Sequence, residues 1–182
     1  YPRADLQAVF QKQYETLDKS DRVLSAIESI AHSNTFTIVT AHQPSLFLGP
    51  LYFLYKAVTA INLAKTVEES TGKRVVPVFV LGSEDHDLEE LNNINLFNKK
   101  LLWQPGLSGS VGPMPGASLE NVLAELREVL GDSEGAKAVY QRVASAFSPE
   151  RTFAEGNQAM LNDLFGKYGL LVLNMNDPLL KK

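Results

Sequence analysis
Apolar residues recur along the chain at two spacings. Leu6, Val9, Phe10, Tyr14 and Leu17 follow a helical period, and Ser20 then caps a second helical stretch carrying Val23, Leu24, Ile27 and Ile30. Phe36-Thr37-Ile38-Val39-Thr40 is rich in β-branched residues and reads as a strand. After a polar turn with Gly49-Pro50, the longest amphipathic helix runs from about Leu51 to Ser70. Leu54, Tyr55, Val58, Ile61, Leu63 and Ala64 are available for its packing, and Gly72 is its stop. Val75 to Leu81 reads as a second strand, whose apolar run without alternation suits cover on both faces. Pro77 cannot donate to a ladder, which predicts that it sits at the strand's start or on an edge.

Beyond Gly82 the chain turns sharply polar, in Ser83-Glu84-Asp85-His86-Asp87, with one helical turn to follow at Leu88–Leu91. Ile94 to Trp103 predicts a short hairpin around Asn98-Lys99-Lys100. Residues 104–117, punctuated by Gly106, Gly109, Gly112 and Gly116 and by Pro105, Pro113 and Pro115, read as a surface loop. Helices are expected at about 118–130, 134–146 and 152–167, with a third buried strand at Leu170-Leu171-Val172-Leu173. The strand–helix–strand order from 36 to 81 is a βαβ unit, so its strands should be parallel and its crossover right-handed. With the third strand it forms the core of an open α/β sheet, preceded by leading helices over 1–34.

In such sheets chemistry collects beyond the carboxyl ends of the strands. His42 and Gln43 follow the first strand, Glu84 to Asp87 the second, and Asn174, Asn176 and Asp177 the third. In the first constellation, a turn leads through Gly49 and Pro50 into a helix whose opening N–H groups attract anions. Tyr52 and Lys56, four apart, share one face of that helix. No Walker A loop and no G-x-G-x-x-G fingerprint is present. A plain connecting loop with a solvated lysine and a capping histidine fits the same residues. In the second constellation, one carboxylate can orient the His86 ring while the imidazole binds or moves a proton. A helix start with acids in its first turn also accounts for the carboxylates, though poorly for His86.

Composition narrows the classes. The 182 residues suggest one domain, or one with a small attachment, and 45% hydrophobic with 21% charged residues is ordinary for a soluble fold. A net charge of −4 argues against a general nucleic-acid binder. The absence of Cys excludes a disulfide framework, a thiolate metal site and a cysteine nucleophile within these residues. With only His32, His42 and His86 as imidazoles, no dedicated zinc site is expected; a Mg²⁺ carried by a nucleotide fits better. No apolar run approaches the ~20 residues of a membrane span, and the start has no apolar signal region. A cytoplasmic protein is therefore expected. The chain lacks an initiator Met and closes on Asp177-Pro178, which reads as the start of another helix, so a longer native protein is expected. Phe97, Trp103, Tyr140, Phe147, Phe153, Phe165 and Tyr168 are expected in the core. Asn157 and Gln158 are expected to face solvent.

Three stretches together resemble a known family. They are Val39-Thr40-Ala41-His42-Gln43-Pro44-Ser45-Leu46-Phe47-Leu48-Gly49-Pro50-Leu51-Tyr52-Phe53-Leu54-Tyr55-Lys56-Ala57, then Val76 to Glu90 around Ser83-Glu84-Asp85-His86-Asp87, then Phe153 to Leu173 with Asp177-Pro178. They are similar to the bacillithiol biosynthesis BshC family of cysteine-adding enzymes, across almost the whole chain. The resemblance implies that residues 1–182 are the N-terminal portion of a Rossmann-like core, an open, mainly parallel sheet flanked by helices and related to class I nucleotidyltransferases. It implies a longer protein with a C-terminal coiled coil that makes a homodimer. It also implies a ligase joining the carboxyl group of cysteine to the amine of glucosaminyl-malate through an activated acyl intermediate, with ATP and Mg²⁺ as the expected activator. Two departures stand out: Ala41-His42-Gln43 where many relatives read Gly-Gln-Gln, and Asn92-Asn93 where many read Asn-His.

These readings converge on one expected pocket. His42, Gln43, Gly49, Pro50, Tyr52 and Lys56 form the wall that binds an anionic substrate or nucleotide group. Asp85, His86 and Asp87 form the facing wall, which binds the amine or acts as acid and base. A noncatalytic nucleotide- or amino-sugar-binding module, and another nucleotidyl or acyl transferase on the same core, remain as alternatives.

Overall fold
A computed structural model describes residues 2–181. In chain order the elements are α1 (Arg3–Gln13), α2 (Asp21–Ile30), β1 (Phe36–His42), α3 (Leu51–Thr71), β2 (Val75–Leu81), α4 (Leu88–Leu91), β3 (Asn93–Leu96), β4 (Lys99–Leu102), α5 (Glu120–Leu130), α6 (Glu134–Ala146), α7 (Phe153–Phe165) and β5 (Leu171–Asn174). Caps set several of the boundaries. Ser20 and Ser133 accept from the third residues of α2 and α6, Thr152 and Glu155 close a capping box on α7, and Gly72 ends α3 in the left-handed region at φ 66°.

The central sheet is parallel, in the order β1-β2-β5, with helices packed around it. It is the open α/β sheet that the βαβ order predicts. β1 pairs with β2 from Phe36↔Val75 to His42↔Leu81, and β2 with β5 from Val78↔Leu171 to Leu81↔Asn174. One face of the sheet, with Val76, Val78, Leu171 and Leu173, shares a core with Val9, Phe10, Val23 and Ile27 from α1 and α2. The other, with Phe79, Leu81 and Val172, packs on Phe53 and Ala57 of α3. No helix among the described residues is long and apolar enough to cross a membrane.

Several expectations are corrected. α3 packs through Phe53, Ala57, Ala60 and Ala64, while Tyr55, Val58 and Leu63 are exposed. A stripe of small side chains lets the helix backbone lie close to the sheet, with the Phe53 ring stacked on Phe79 at 4.9 Å. Pro77 sits inside the central strand, opposite Ile38. The Gly82 N–H donates to the His42 carbonyl and the Met175 N–H to the Leu81 carbonyl, so alternation turns the Pro77 nitrogen toward β5. The β5 ladder starts only at Val78, and no ladder bond is lost. In the β3–β4 hairpin, Lys99 and Lys100 lie in a strand. The turn is Phe97-Asn98, at φ 47° and 66°, the positive values a two-residue type I′ turn requires. Trp103, Phe147 and Phe153 are in the core, but Phe97 and Tyr168 are exposed.

Candidate functional site
β1 and β2 end level. His42 is the last residue of its strand rather than part of the turn beyond it, and it lies opposite Leu81. The chain then leaves both strands on the same rim, and one hydrogen bond ties the two departures together. Gln43 Nε2 donates to Asp85 Oδ2 at 2.9 Å. The first and second constellations are therefore neighbours.

His42 is held on both nitrogens. Nδ1 lies 2.9 Å from the Gln43 carbonyl, which can only accept, so Nδ1 carries the proton. Nε2 then accepts from the Tyr52 hydroxyl at 2.8 Å. Lys56 Nζ donates to the Ala41 carbonyl at 3.1 Å and stands 5.8 Å from the Tyr52 ring centre. Between these groups and β2, residues 44–49 are buried. Phe47 and Leu48 take left-handed φ values of 51° and 61°, and the Gly49–Pro50 peptide bond is cis. A Cβ on Gly49 would lie 2.7 Å from Ile94 Cδ1, so a larger residue here would have to displace the Ile94 side chain. A cleft of about 620 Å³ opens here, lined by His42, Ser45, Gly49, Pro50, Tyr52 and Asn93 among others.

The acidic motif is arranged differently from expectation. Asp85 Oδ1 accepts the Asp87 N–H at 2.8 Å. That bond, and next the one from Gln43, holds the Asp85 carboxyl below the usual carboxylate range. Glu84 pairs with Lys181. His86 and Asp87 are exposed. Lys56, Asp85, His86 and Asp87 do not line the 620 Å³ cleft, so the acidic motif meets the His42 side through Gln43 rather than across a shared cavity. Among the described residues, no three His, Asp or Glu side chains converge as a metal-binding group.

The supports of this rim come from residues that sequence reasoning passed over. Asn157 and Gln158, expected in solvent, are buried. The Asn157 carboxamide accepts the Ser45 N–H at 3.0 Å and donates to the Phe153 carbonyl at 2.9 Å, pinning the turn before α3. Gln158 donates to the Val172 carbonyl at 2.9 Å. A signal existed for Asn157: it lies four residues from both Phe153 and Leu161, on the buried stripe of α7. Loop 104–117 is a surface loop only in its first half. Its second half straps the acidic motif: the Val111 N–H donates to the Asp85 carbonyl at 2.8 Å and Ser110 Oγ to the Ser83 carbonyl at 2.9 Å. A Cβ on Gly112 would lie 2.3 Å from the Ser83 carbonyl oxygen. Ser83 Oγ, buried beneath, donates to Asn174 Oδ1 at the end of β5.

Comparison with known proteins supplies the family. The model described as bacillithiol biosynthesis BshC, N-terminal Rossmann-like domain, matches residues 1–182. The chain belongs to the BshC family. A Flavobacterium psychrophilum protein named "Putative cysteine ligase BshC" is 36% identical over 181 residues, covering 99% of this chain and 34% of the relative. Relatives of the same name from Christiangramia forsetii and Heliobacterium modesticaldum are 35% identical over 185 residues and 33% over 199. Each of these two alignments covers 99% of this chain, and 34% and 35% of the respective relative. The chain thus spans about a third of the length of the curated relatives it matches. In this BshC domain, the first two stretches that carried the resemblance are the two loops joined by the Gln43–Asp85 bond.

Proposed function
We propose that the protein whose N-terminal domain this is joins the carboxyl group of cysteine to the amine of glucosaminyl-malate, as a step of bacillithiol biosynthesis. The observation that supports the reading is the Gln43–Asp85 bond, which ties the turn before α3 to the loop that carries His86. In the reaction the amine nitrogen attacks the activated carboxyl carbon, a C–N bond forms, the leaving group departs with its electron pair, and the amine proton passes to a base.

The residues divide that work. Asp85, kept ionised, is a weak base but a good hydrogen-bond acceptor, and with Asp87 it accepts from the N–H groups of the neutral substrate amine. His86, exposed beside them, takes the proton as nitrogen attacks. On the His42 side, the Lys56 ammonium, beside the Tyr52 ring, and the N–H groups that open α3 after Gly49 and Pro50 receive the anionic group. His42 and Gln43 position them. These donors suit a phosphate as well as a carboxylate. ATP with Mg²⁺ is the activator this reading expects, and when bound it supplies the leaving group that makes the carboxyl carbon reactive.

The test is mass spectrometry of the full-length protein with cysteine, glucosaminyl-malate and ATP, each omitted in turn. The cysteinyl amide should form only in the complete mixture and be lost in His86→Ala with folding intact. Binding of the amino sugar without turnover would favour a ligand-binding module. Loss of folding in His86→Ala would make that residue structural.

A further inference from the structure
The cleft beside His42 holds a charge that the proposed chemistry leaves unused. Among the described residues that line it, Glu90 is the sole acid, and no lysine or arginine accompanies it. Glu90 sits on the single turn α4. The next residue, Leu91, is buried, and the Asn92 N–H donates to the Leu88 carbonyl at 2.9 Å. Asn93 braces the same turn, with Nδ2 donating to the Glu89 carbonyl at 2.9 Å. The other acids of this stretch are engaged or lie elsewhere. Glu84 pairs with Lys181, Asp85 accepts from the Asp87 N–H and Gln43, and Asp87 and Glu89 do not line the cleft. The Glu90 carboxylate has no ion-pair partner among the described residues.

The rest of the lining is of a different kind. Ile94 packs on Gly49, which sets β3 against the turn that leads into α3. Leu51 and Tyr52 line the cleft as well, and their N–H groups have no hydrogen-bond partner among the described residues. Leu48, Leu54 and Ile94 add apolar lining. A lone carboxylate, free N–H groups and apolar side chains in one cleft suit a small zwitterion with an apolar side chain.

We propose that Glu90 selects an α-amino acid in this cleft by accepting from its ammonium group, and so fixes which way round cysteine binds. The inference rests on the ligase reading and assigns a site to one of its two substrates. Cysteine carries an amine of its own. Bound the wrong way round, it would present that nitrogen to His86 in place of its carboxyl. With the ammonium on Glu90 and the carboxyl toward the N–H groups of Leu51 and Tyr52, the nitrogen keeps its proton and has no lone pair to attack with. It also stays apart from His86, which does not line the cleft. The acidic motif is left to the amine of the second substrate.

Titration calorimetry of the full-length protein with cysteine and with mercaptopropionate, which is cysteine without its ammonium group, reads the contact. The parent should bind cysteine at least about 10-fold more tightly, and Glu90→Gln should lose most of that preference by weakening cysteine alone. Unchanged binding of mercaptopropionate shows that the variant's cleft is intact. Glu89→Gln, which removes the neighbouring charge outside the cleft, should keep the parent's preference. In turnover, Glu90→Gln should raise the KM for cysteine about 10-fold and leave kcat and the KM for glucosaminyl-malate close to the parent's. A parent without preference, a Glu90→Gln that keeps it, an equal loss in Glu89→Gln, or a loss of both ligands in Glu90→Gln overturns the proposal. A preference for cysteine that depends on Glu90, in a protein that forms no amide, overturns the ligase reading and supports the amino-acid site.

Discussion

Replacing Asn157 with leucine should loosen the turn that delivers α3 to the site. The carboxamide is fully buried and accepts the N–H of Ser45, itself 2% exposed. Leucine is close in volume, so little cavity forms, and the cost falls on hydrogen bonds. An orphaned buried N–H costs about 1–3 kcal/mol. The bond from Asn157 Nδ2 to the Phe153 carbonyl adds about 0.5–1 kcal/mol, since that carbonyl keeps its helical partner. The sum is about 1.5–4 kcal/mol, and with a urea slope of about 2 kcal/mol/M the unfolding midpoint should fall by about 1–2 M. The assay is built into the chain. Trp103 is the sole tryptophan, buried with its ring centre 4.5 Å from that of Phe153 at the start of α7. Its fluorescence in urea reports the packing around the substituted helix. Asn62→Leu on the exposed side of α3 is the control, expected to cost less than about 0.5 kcal/mol. If Asn157→Leu unfolds within about 0.2 M of the parent, a midpoint shift far below the one hydrogen-bond loss predicts, the carboxamide does not hold the turn and the reasoning fails.

Other substitutions and conditions probe the remaining supports. Gly112→Ala, whose Cβ would meet the Ser83 carbonyl at 2.3 Å, should push the strap off the acidic motif, raise amide exchange at Val111 and cost about 1–3 kcal/mol. Gly135→Ala, in α6 with nothing within 4 Å of the new methyl, should instead stabilise by about 0.5–1 kcal/mol in the same urea titration. Phe97→Asn should raise the melting temperature, because a 75% exposed phenylalanine at φ 47° is replaced by a residue that favours the left-handed region. Acid should weaken the fold through two carboxyls. Burial of Asp177 is outweighed by bonds from the Leu179 N–H and Lys12, and Asp85 is held down by the Asp87 N–H and Gln43. Both bind protons less readily folded than unfolded, so their contribution is complete above about pH 4, the ordinary carboxyl value, and is lost as pH falls through the lower folded values. Urea midpoints at pH 6 and pH 3 should therefore differ less in Asp177→Asn than in the parent.

The sequence announces its elements better than its contacts. Hydrophobic period and caps place every strand of the sheet and the long helix, because those signals are local. The faces of α3 escape them, since a scan for large apolar side chains selects Tyr55, Val58 and Leu63 over an alanine stripe whose value lies in its smallness. Pro77 is misplaced for a related reason: whether a missing N–H costs anything depends on where β5 starts, nearly a hundred residues on. Glycine is ambiguous in the same way. Gly106 and Gly109 have positive φ and open space around them, while Gly112 and Gly116 are spaces into which another backbone fits, and composition does not separate the two uses. The rim itself was legible as a rule, that polar residues after parallel strands gather at one end. The rule locates the neighbourhood of Gln43 and Asp85 without aiming the side chains. Their aim comes from bonds between distant residues: Ser45 to Asn157, Val111 to Asp85, Ser83 to Asn174. Each of these satisfies a polar group that burial would otherwise penalise. A buried polar residue is therefore informative once its partner is known, and until then its side chain reads as solvent-facing. Asn157 shows this: its polarity points to solvent, while its spacing from Phe153 and Leu161 puts it inside.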